Sequence, residues 1–184
     1  MSETIQNANK LHSKIASIAD GVADKYIEKA VANGLQPVQA TAKLLVPVGT
    51  IGADSNGGLR ESIKKRTERT ASGARGEVYT NASYAAYVEL GTGPRGDQNH
   101  KDISPNVNPT YTMEPWWIHE SQIDEKIAEK YKWYYIDTEQ GRFYQCLGQP
   151  AQPFMYPALE RNEKNVTKRI GTYLAKKIRE EAKK

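Results

Sequence analysis

His12, His100, His119 and Cys146 are the side chains of this 184-residue chain that could ligate a metal or lead a nucleophilic attack. Both tasks need several such groups gathered at a suitable spacing. Here no two histidines stand at a metal-ligand spacing, and Cys146 has no His or Cys near it in sequence. Cys146 lies in the alternating run "RFYQCL", where a buried, inert thiol is expected. A hydrolase built on Cys146 or the histidines would need a partner that only the fold can supply. The neighbouring carboxylates Asp124 and Glu125 fit a solvated helix face. "GTGPRG" (91–96) echoes a phosphate-binding loop. It lacks the Gly-Lys-Ser/Thr ending, and it follows a helical pattern where a dinucleotide fingerprint follows a strand. Nothing here argues for an active site. The chain reads as non-enzymatic, with no catalytic residue, cofactor or metal.

The remaining chemistry is charge and aromaticity. The net charge is +4, and it is uneven. Residues 59–76 carry six Lys or Arg and two Glu, while residues 160–184 carry nine Lys or Arg and four Glu. Both stretches could face a polyanion, or be solvated surfaces. Within the first, Lys64, Lys65, Arg66 and Arg69 are candidates for DNA contact. The aromatic residues concentrate at Trp116, Trp117, Trp133, Tyr134 and Tyr135, with Lys130 and Lys132 interleaved. Such a cluster could stack on single-stranded nucleic acid, fill the core of a small subdomain, or anchor a protein partner.

The elements that must position these groups follow from pattern. Leu11, Ile15, Ile18, Val22 and Tyr26 form one stripe of a helix over 4–32, with Asn33-Gly34 as its stop and Pro37 opening a second, shorter helix. "GTIGADSNGG" (49–58) reads as a loop. "LRESIKKRT" (59–67) reads as a strand, although Leu59 and Ile63 also fit one helical turn. "GEVYT" (76–80) reads as a strand and "SYAAYVELG" (83–91) as a short helix capped by Ser83 and closed by Gly91. In that helix Tyr84, Tyr87 and Val88 are expected to pack on the sheet. Residues 92–115 are irregular, and 116–131 could start an amphipathic helix. "KWYYI" and "RFYQCL" flank "DTEQG" as a hairpin. In "GQPAQPFMYPAL" (148–159) three prolines stiffen an extended strap, from which Pro157 opens a last helix with Leu159, Val166, Ile170, Tyr173 and Leu174 inward. Helical ends around a small sheet predict an α+β fold. A single cysteine leaves no internal disulfide and suits a reducing compartment. The N-terminus has no secretory pattern, and the longest apolar stretch, about the length of "LLVPV", is far short of a membrane span.

Three blocks occur in order: "AKLLVPVGT" followed by "LRESI", then "GEVYTNASYAAYVELGTG", then "GQPAQPFMYPAL". This resembles the tail-completion (neck, or head–tail joining) proteins of long-tailed siphophages and related prophages. Their members read Val-Pro-Val-Asp-Thr-Gly, Leu-Arg-x-Ser-Ile, Tyr-Ala-x-Tyr-Val-Glu-x-Gly-Thr and Pro-Phe-Met/Leu-x-Pro-Ala. The likeness covers roughly 42–93 and 147–175, and it departs at 49–58. It implies one tail-completion-like domain over 1–184, with an inserted excursion at about 94–146 that the strap closes. It further implies a structural virion protein at the head–tail interface, made in the host cytoplasm, in a ring around the DNA channel that is a hexamer in the particle. The implied neighbours are a connector or stopper and a tail terminator or tail tube protein, with transient, non-specific contact with phage DNA and no membrane. The other reading left by the residues is a nucleic-acid-binding accessory protein.

Overall fold

A computed structural model describes residues 2–48 and 58–183, with the side chains of residues 2–9 and Leu11 outside the description. The loop expected at 49–58, where the chain departs from the tail-completion pattern, lies outside the described residues except for Gly58. The fold is α+β, as the pattern predicts. In order it runs α1 (Ser2–Leu45), α2 (Gly58–Ser62), β1 (Lys64–Thr70), β2 (Gly73–Tyr79), α3 (Ala85–Leu90), α4 (Gly93–Gln98), β3 (Trp116–His119), α5 (Glu125–Lys130), β4 (Tyr135–Thr138), β5 (Gly141–Cys146) and α6 (Met155–Glu181). The chain divides into two compact units, one of residues 1–40, 65–79 and 161–184, the other of residues 41–64 and 80–160.

The first unit joins the long N-terminal helix, the β1–β2 hairpin and most of the last helix. Val22, Ala30, Leu35 and Val38 of α1 are buried in it. The hairpin lies close against α1. A Cβ placed on Gly76 would come 2.4 Å from Val31 and 2.7 Å from Leu35. Lys65 Nζ donates to the Ala32 carbonyl at 3.1 Å.

Sequence pattern predicts a break at Asn33-Gly34, yet α1 runs unbroken through it and through Pro37. The reason is α6. A Cβ on Gly34 would stand 2.9 Å from Ile170 Cγ1 and 3.2 Å from Val166 Cγ1, so this glycine permits a close helix–helix approach rather than ending a helix. Pro37 has no N–H to give the carbonyl four residues earlier, that of Asn33. Arg169 Nε of α6 donates to that carbonyl at 3.2 Å, and its Nη2 reaches Gln36 Oε1 at 3.0 Å. Tertiary contacts thus offset the roughly 1 kcal/mol for Gly and 3 kcal/mol for Pro that a lone helix would lose.

The second unit buries Ala42, Val46, Leu59, Ile63, Ala85, Ala128, Tyr144, Cys146, Phe154 and Ala158. Residues 58–62 form a helical turn where a strand was expected, and only from Lys64 does the chain extend. That turn buries Leu59, and Ile63 follows it fully buried. The Trp pair is likewise in a strand, β3, and not in a helix; the helix α5 begins later, capped by Asp124 Oδ1 accepting from Lys126 N. The expected hairpin is present as β4 and β5. Strand β5 is central, with β3 and β4 antiparallel on either side; Trp116 faces Cys146 and Tyr135 faces Tyr144. Leu159, expected on the inward stripe of α6, is 52% exposed.

The two α1 glycines test the role of α6. Gly21 has nothing within 4 Å of a would-be Cβ. Gly21→Ala should therefore gain the usual helical benefit of up to about 1 kcal/mol. Gly34→Ala should instead lower the melting temperature, because crowding at Ile170 outweighs that gain. Thermal melts followed by far-UV circular dichroism read both signs. A Gly34→Ala variant as stable as Gly21→Ala would overturn the close-approach reading.

Candidate interaction site

The strap and the block "YAAYVELGTG" come together in the second unit, tied at two points. The first is a pinch. Thr92 N donates to Gln149 O at 2.9 Å, Gln149 N returns to Thr92 O at 3.1 Å, and Arg95 N donates to Leu147 O at 3.1 Å. Gly148 has φ +79°, and a Cβ there would fall 1.9 Å from the Thr92 carbonyl oxygen, so only glycine fits. The ends of the 94–146 excursion are therefore brought side by side.

The second tie is Glu89. Helix α6 starts after Gln152-Pro153-Phe154, which offers no Ser, Thr, Asp or Asn to cap its free N–H groups. Glu89 caps it from 65 residues upstream. Its Oε2 accepts from Phe154 N at 2.7 Å and Met155 N at 2.9 Å, and its Oε1 from Tyr156 N at 3.0 Å. A carboxylate on a helix N-terminus gains from charge-assisted bonds and from the helix dipole. Between the ties the strap runs along the block. Gln152 N donates to Val88 O, and Ala151 N to Asn99 O, each at 2.8 Å. Phe154 ends fully buried.

Helix α3 differs in detail from the sequence reading. Ser83 does not cap it; Tyr84 occupies that position, with no side-chain cap bond. Gly91 does close it, at φ +78°. Tyr84, Tyr87 and Val88 do not form a buried face against a sheet. Ala85 is the buried residue of this helix, and Tyr87 is 59% exposed. Tyr84, Tyr87 and Val88, with Thr92, Gly93, Thr112, Trp116 and Gln149, line an open, mostly apolar groove of about 750 Å³. Behind it Tyr111 donates its phenol to Leu90 O at 2.8 Å. Burial, with Asp97 adding to it, pushes the Tyr111 pKa up, so the phenol stays a donor at neutral pH.

Of the five aromatic candidates, Trp116, Trp117 and Tyr135 lie in one small sheet that Tyr134 adjoins, on different faces, while Trp133 lies outside it. Strand alternation puts Trp116, Tyr135 and Tyr144 on one face and Trp117, Tyr134 and Phe143 on the other. Tyr135 packs edge-on to Tyr144 at 6.0 Å, under the Arg142 guanidinium at 4.0 Å. Arg142 also bonds Asp137 Oδ1 at 2.7 Å, which holds the Asp137 carboxyl below its ordinary range. Trp117 meets Tyr134 at 6.1 Å on the second face, and both remain exposed. Trp133 is half-buried just before β4, its N–H on the Ala128 carbonyl. The group is thus neither a closed core nor one flat stacking platform.

The histidines and the cysteine take structural places. His12 is exposed on α1. His100 stacks on Tyr111 at 5.7 Å. His119 Nδ1 accepts from Ser121 N at 3.2 Å, and its Nε2 contacts Gln140 O at 2.9 Å, which bridges the strand end to the hairpin turn. Cys146 is buried on the opposite face of the sheet from His119, so the two form no pair. Among the described residues no group of three or more His, Cys, Asp or Glu could hold a metal, and no described helix is long and apolar enough to cross a membrane.

The β1 cations are largely spoken for. Lys65 is bound to the Ala32 carbonyl, Arg66 to Glu77 across the hairpin, and Arg69 to Asp24 of α1. Lys64 is exposed at the strand's first position, on the same side as Arg66 and opposite Lys65. The structure does not gather the four into one basic face.

Fold and site together describe a scaffold with exposed aromatic and apolar surfaces. Residues 9–91 match the family model described as "Bacteriophage HK97-gp10, putative tail-component". The match supports a structural, phage tail-associated role and bears out the resemblance read from the motifs. No curated protein and no solved structure matches the chain.

Glu89 was missed as a functional position because its partners lie so far away in sequence. Its signal was present as a carboxylate in the "YVELG" block and a helix start without a cap. Glu89→Ala should cost about 2–3 kcal/mol, and Glu89→Gln somewhat less, since one amide oxygen can still accept. Urea denaturation should show a lower midpoint at unchanged slope. An unfolding free energy within a few tenths of a kcal/mol of the parent would show that the cap carries no stability.

Proposed function

We propose that this protein is a non-enzymatic structural component that completes the tail at the head–tail interface of a siphophage-like particle. In this reading six copies form a ring around the channel through which DNA passes. One side meets a connector or stopper, and the other a tail terminator or tail tube protein. The protein resides in the virion after synthesis in the host cytoplasm. Ring closure uses heterologous contacts, in which one patch of a copy meets a different patch of the next.

One observation carries this reading. Glu89 lies inside the segment that matches the tail-component family, and it caps residues 154–156, far outside that segment. The block around Glu89 and the strap, two of the three that resemble tail-completion proteins, are thus tied to each other. On this basis the chain works as a single tail-completion-like domain with 94–146 as an insertion.

The insertion supplies the assembly contacts. Trp116, Trp117, Tyr134 and Tyr135 are between 37% and 64% exposed, unusual for large aromatics without a partner. Aromatic side chains of this kind are the usual energetic anchors of interfaces. The pairing of Trp116 with Cys146 makes the test simple, because residues 117–145 can be replaced by three glycines across one strand spacing. Loop closure adds little cost, so the shortened chain should melt cooperatively. In a phage lacking the gene it should yield no joined, infectious particles. An unfolded variant would mean that the aromatics are core. A folded variant that complements would place the assembly contacts elsewhere.

A further inference from the structure

We infer that the DNA-contacting surface of this protein is the outward ridge of α6, formed by Arg161, Lys164, Lys168, Lys176 and Arg179, and not the β1 cations. At 100° per residue these five fall within an arc of about 120°. All five are exposed, while Val166, Ile170, Tyr173 and Leu174, on the other side of the helix, are half-buried. The ridge therefore points away from the face that packs on α1.

Charge on this arc is of one sign. Glu160, Glu163 and Glu181 lie off it by helical angle, and Glu181 is turned to Tyr26 and Lys25 of α1. Glu180, at the edge, is paired with Lys176 and Lys177. Arg169 is turned inward to Asn33 and Gln36. What remains is a row about 27 Å long at 1.5 Å per residue, the length of roughly eight base pairs. Within the ridge Lys176 meets Glu180 of its own helix, while the β1 cations Lys65, Arg66 and Arg69 are engaged with α1 and the hairpin. Fixed cations at helical spacing bind phosphates without reading bases, and such contacts let a duplex slide. That DNA is the polyanion rests on the tail reading; that the ridge binds one does not.

The test uses the purified full chain and a 25-base-pair duplex of arbitrary sequence, with binding read by fluorescence anisotropy. Five phosphate contacts give a slope of log affinity against log salt near −4.5, or about a 500-fold loss between 50 and 200 mM. Lys164→Gln, Lys168→Gln and Lys176→Gln together should reduce that loss to about 12-fold and weaken binding at low salt. Lys65→Gln, Arg66→Gln and Arg69→Gln together should leave the slope within one unit of the parent. No binding at 50 mM, or a slope changed by the β1 set and not by the ridge set, overturns the inference. So does a ridge variant that binds DNA normally but loses self-association in light scattering, since the ridge's partner is then an acidic protein surface of a second copy. Complementation of the phage by the unsubstituted chain, run in parallel, reads the tail assignment separately.

Discussion

One carboxylate carries the order of the second unit. A helix start exposes N–H groups that must find acceptors, and the strap before α6, rich in proline, provides none. Glu89 accepts three of these N–H groups at once. Its own position is fixed because α3 is short and closed by Gly91, with the Gly91 N–H on the Tyr87 carbonyl. The strap is thus held at its end by a side chain and at its beginning by the Thr92–Gln149 bridge. Proline stiffness does the rest. With both ends fixed and few free dihedrals between them, Phe154 has one place to go, and it is buried.

A bridge of backbone hydrogen bonds also closes the base of residues 94–146, from Thr92 and Arg95 to Leu147 and Gln149. The small sheet within that stretch has its own ties. Central strand β5 has both edges paired, Tyr144 and Cys146 are buried beside one another's cross-strand partners, and His119 ties the end of β3 to the hairpin turn.

Much of the fold was legible because its signals are local. The β4–β5 hairpin, the closing of α3 at Gly91 and the helix after the strap follow from turn residues and periodicity. The failures have a common cause in long-range contact. Gly34 and Pro37 look like breakers until Ile170 and Arg169 of α6 are known to sit against them. Leu59 and Ile63 fit a strand and a helical turn equally, and burial decides for the turn. Trp116 and Trp117 precede the helix α5 by more than two turns' worth of residues, and pairing with β5 takes them into a sheet. Of the candidate site residues, the aromatics are close in sequence, but their division between two faces depends on register, which sequence spacing leaves open.

Charge shows the same limit in a sharper form. Lys and Arg are dense in both 59–76 and 160–184, and composition treats the two alike. A strand turns alternate side chains to opposite faces, so a basic strand cannot present its cations together. In β1 Lys65 and Arg69 reach acceptors on α1, while Arg66, on the other face, pairs with Glu77 of the neighbouring strand. A long helix with one packed face leaves the opposite face for whatever residues remain, and in α6 those are cations. The result is a segregation no linear count reveals: seventeen Lys and Arg against nine Asp and Glu in the first unit, nine against thirteen in the second. Positive charge is therefore a property of the helical unit, while the aromatic surfaces belong to the other.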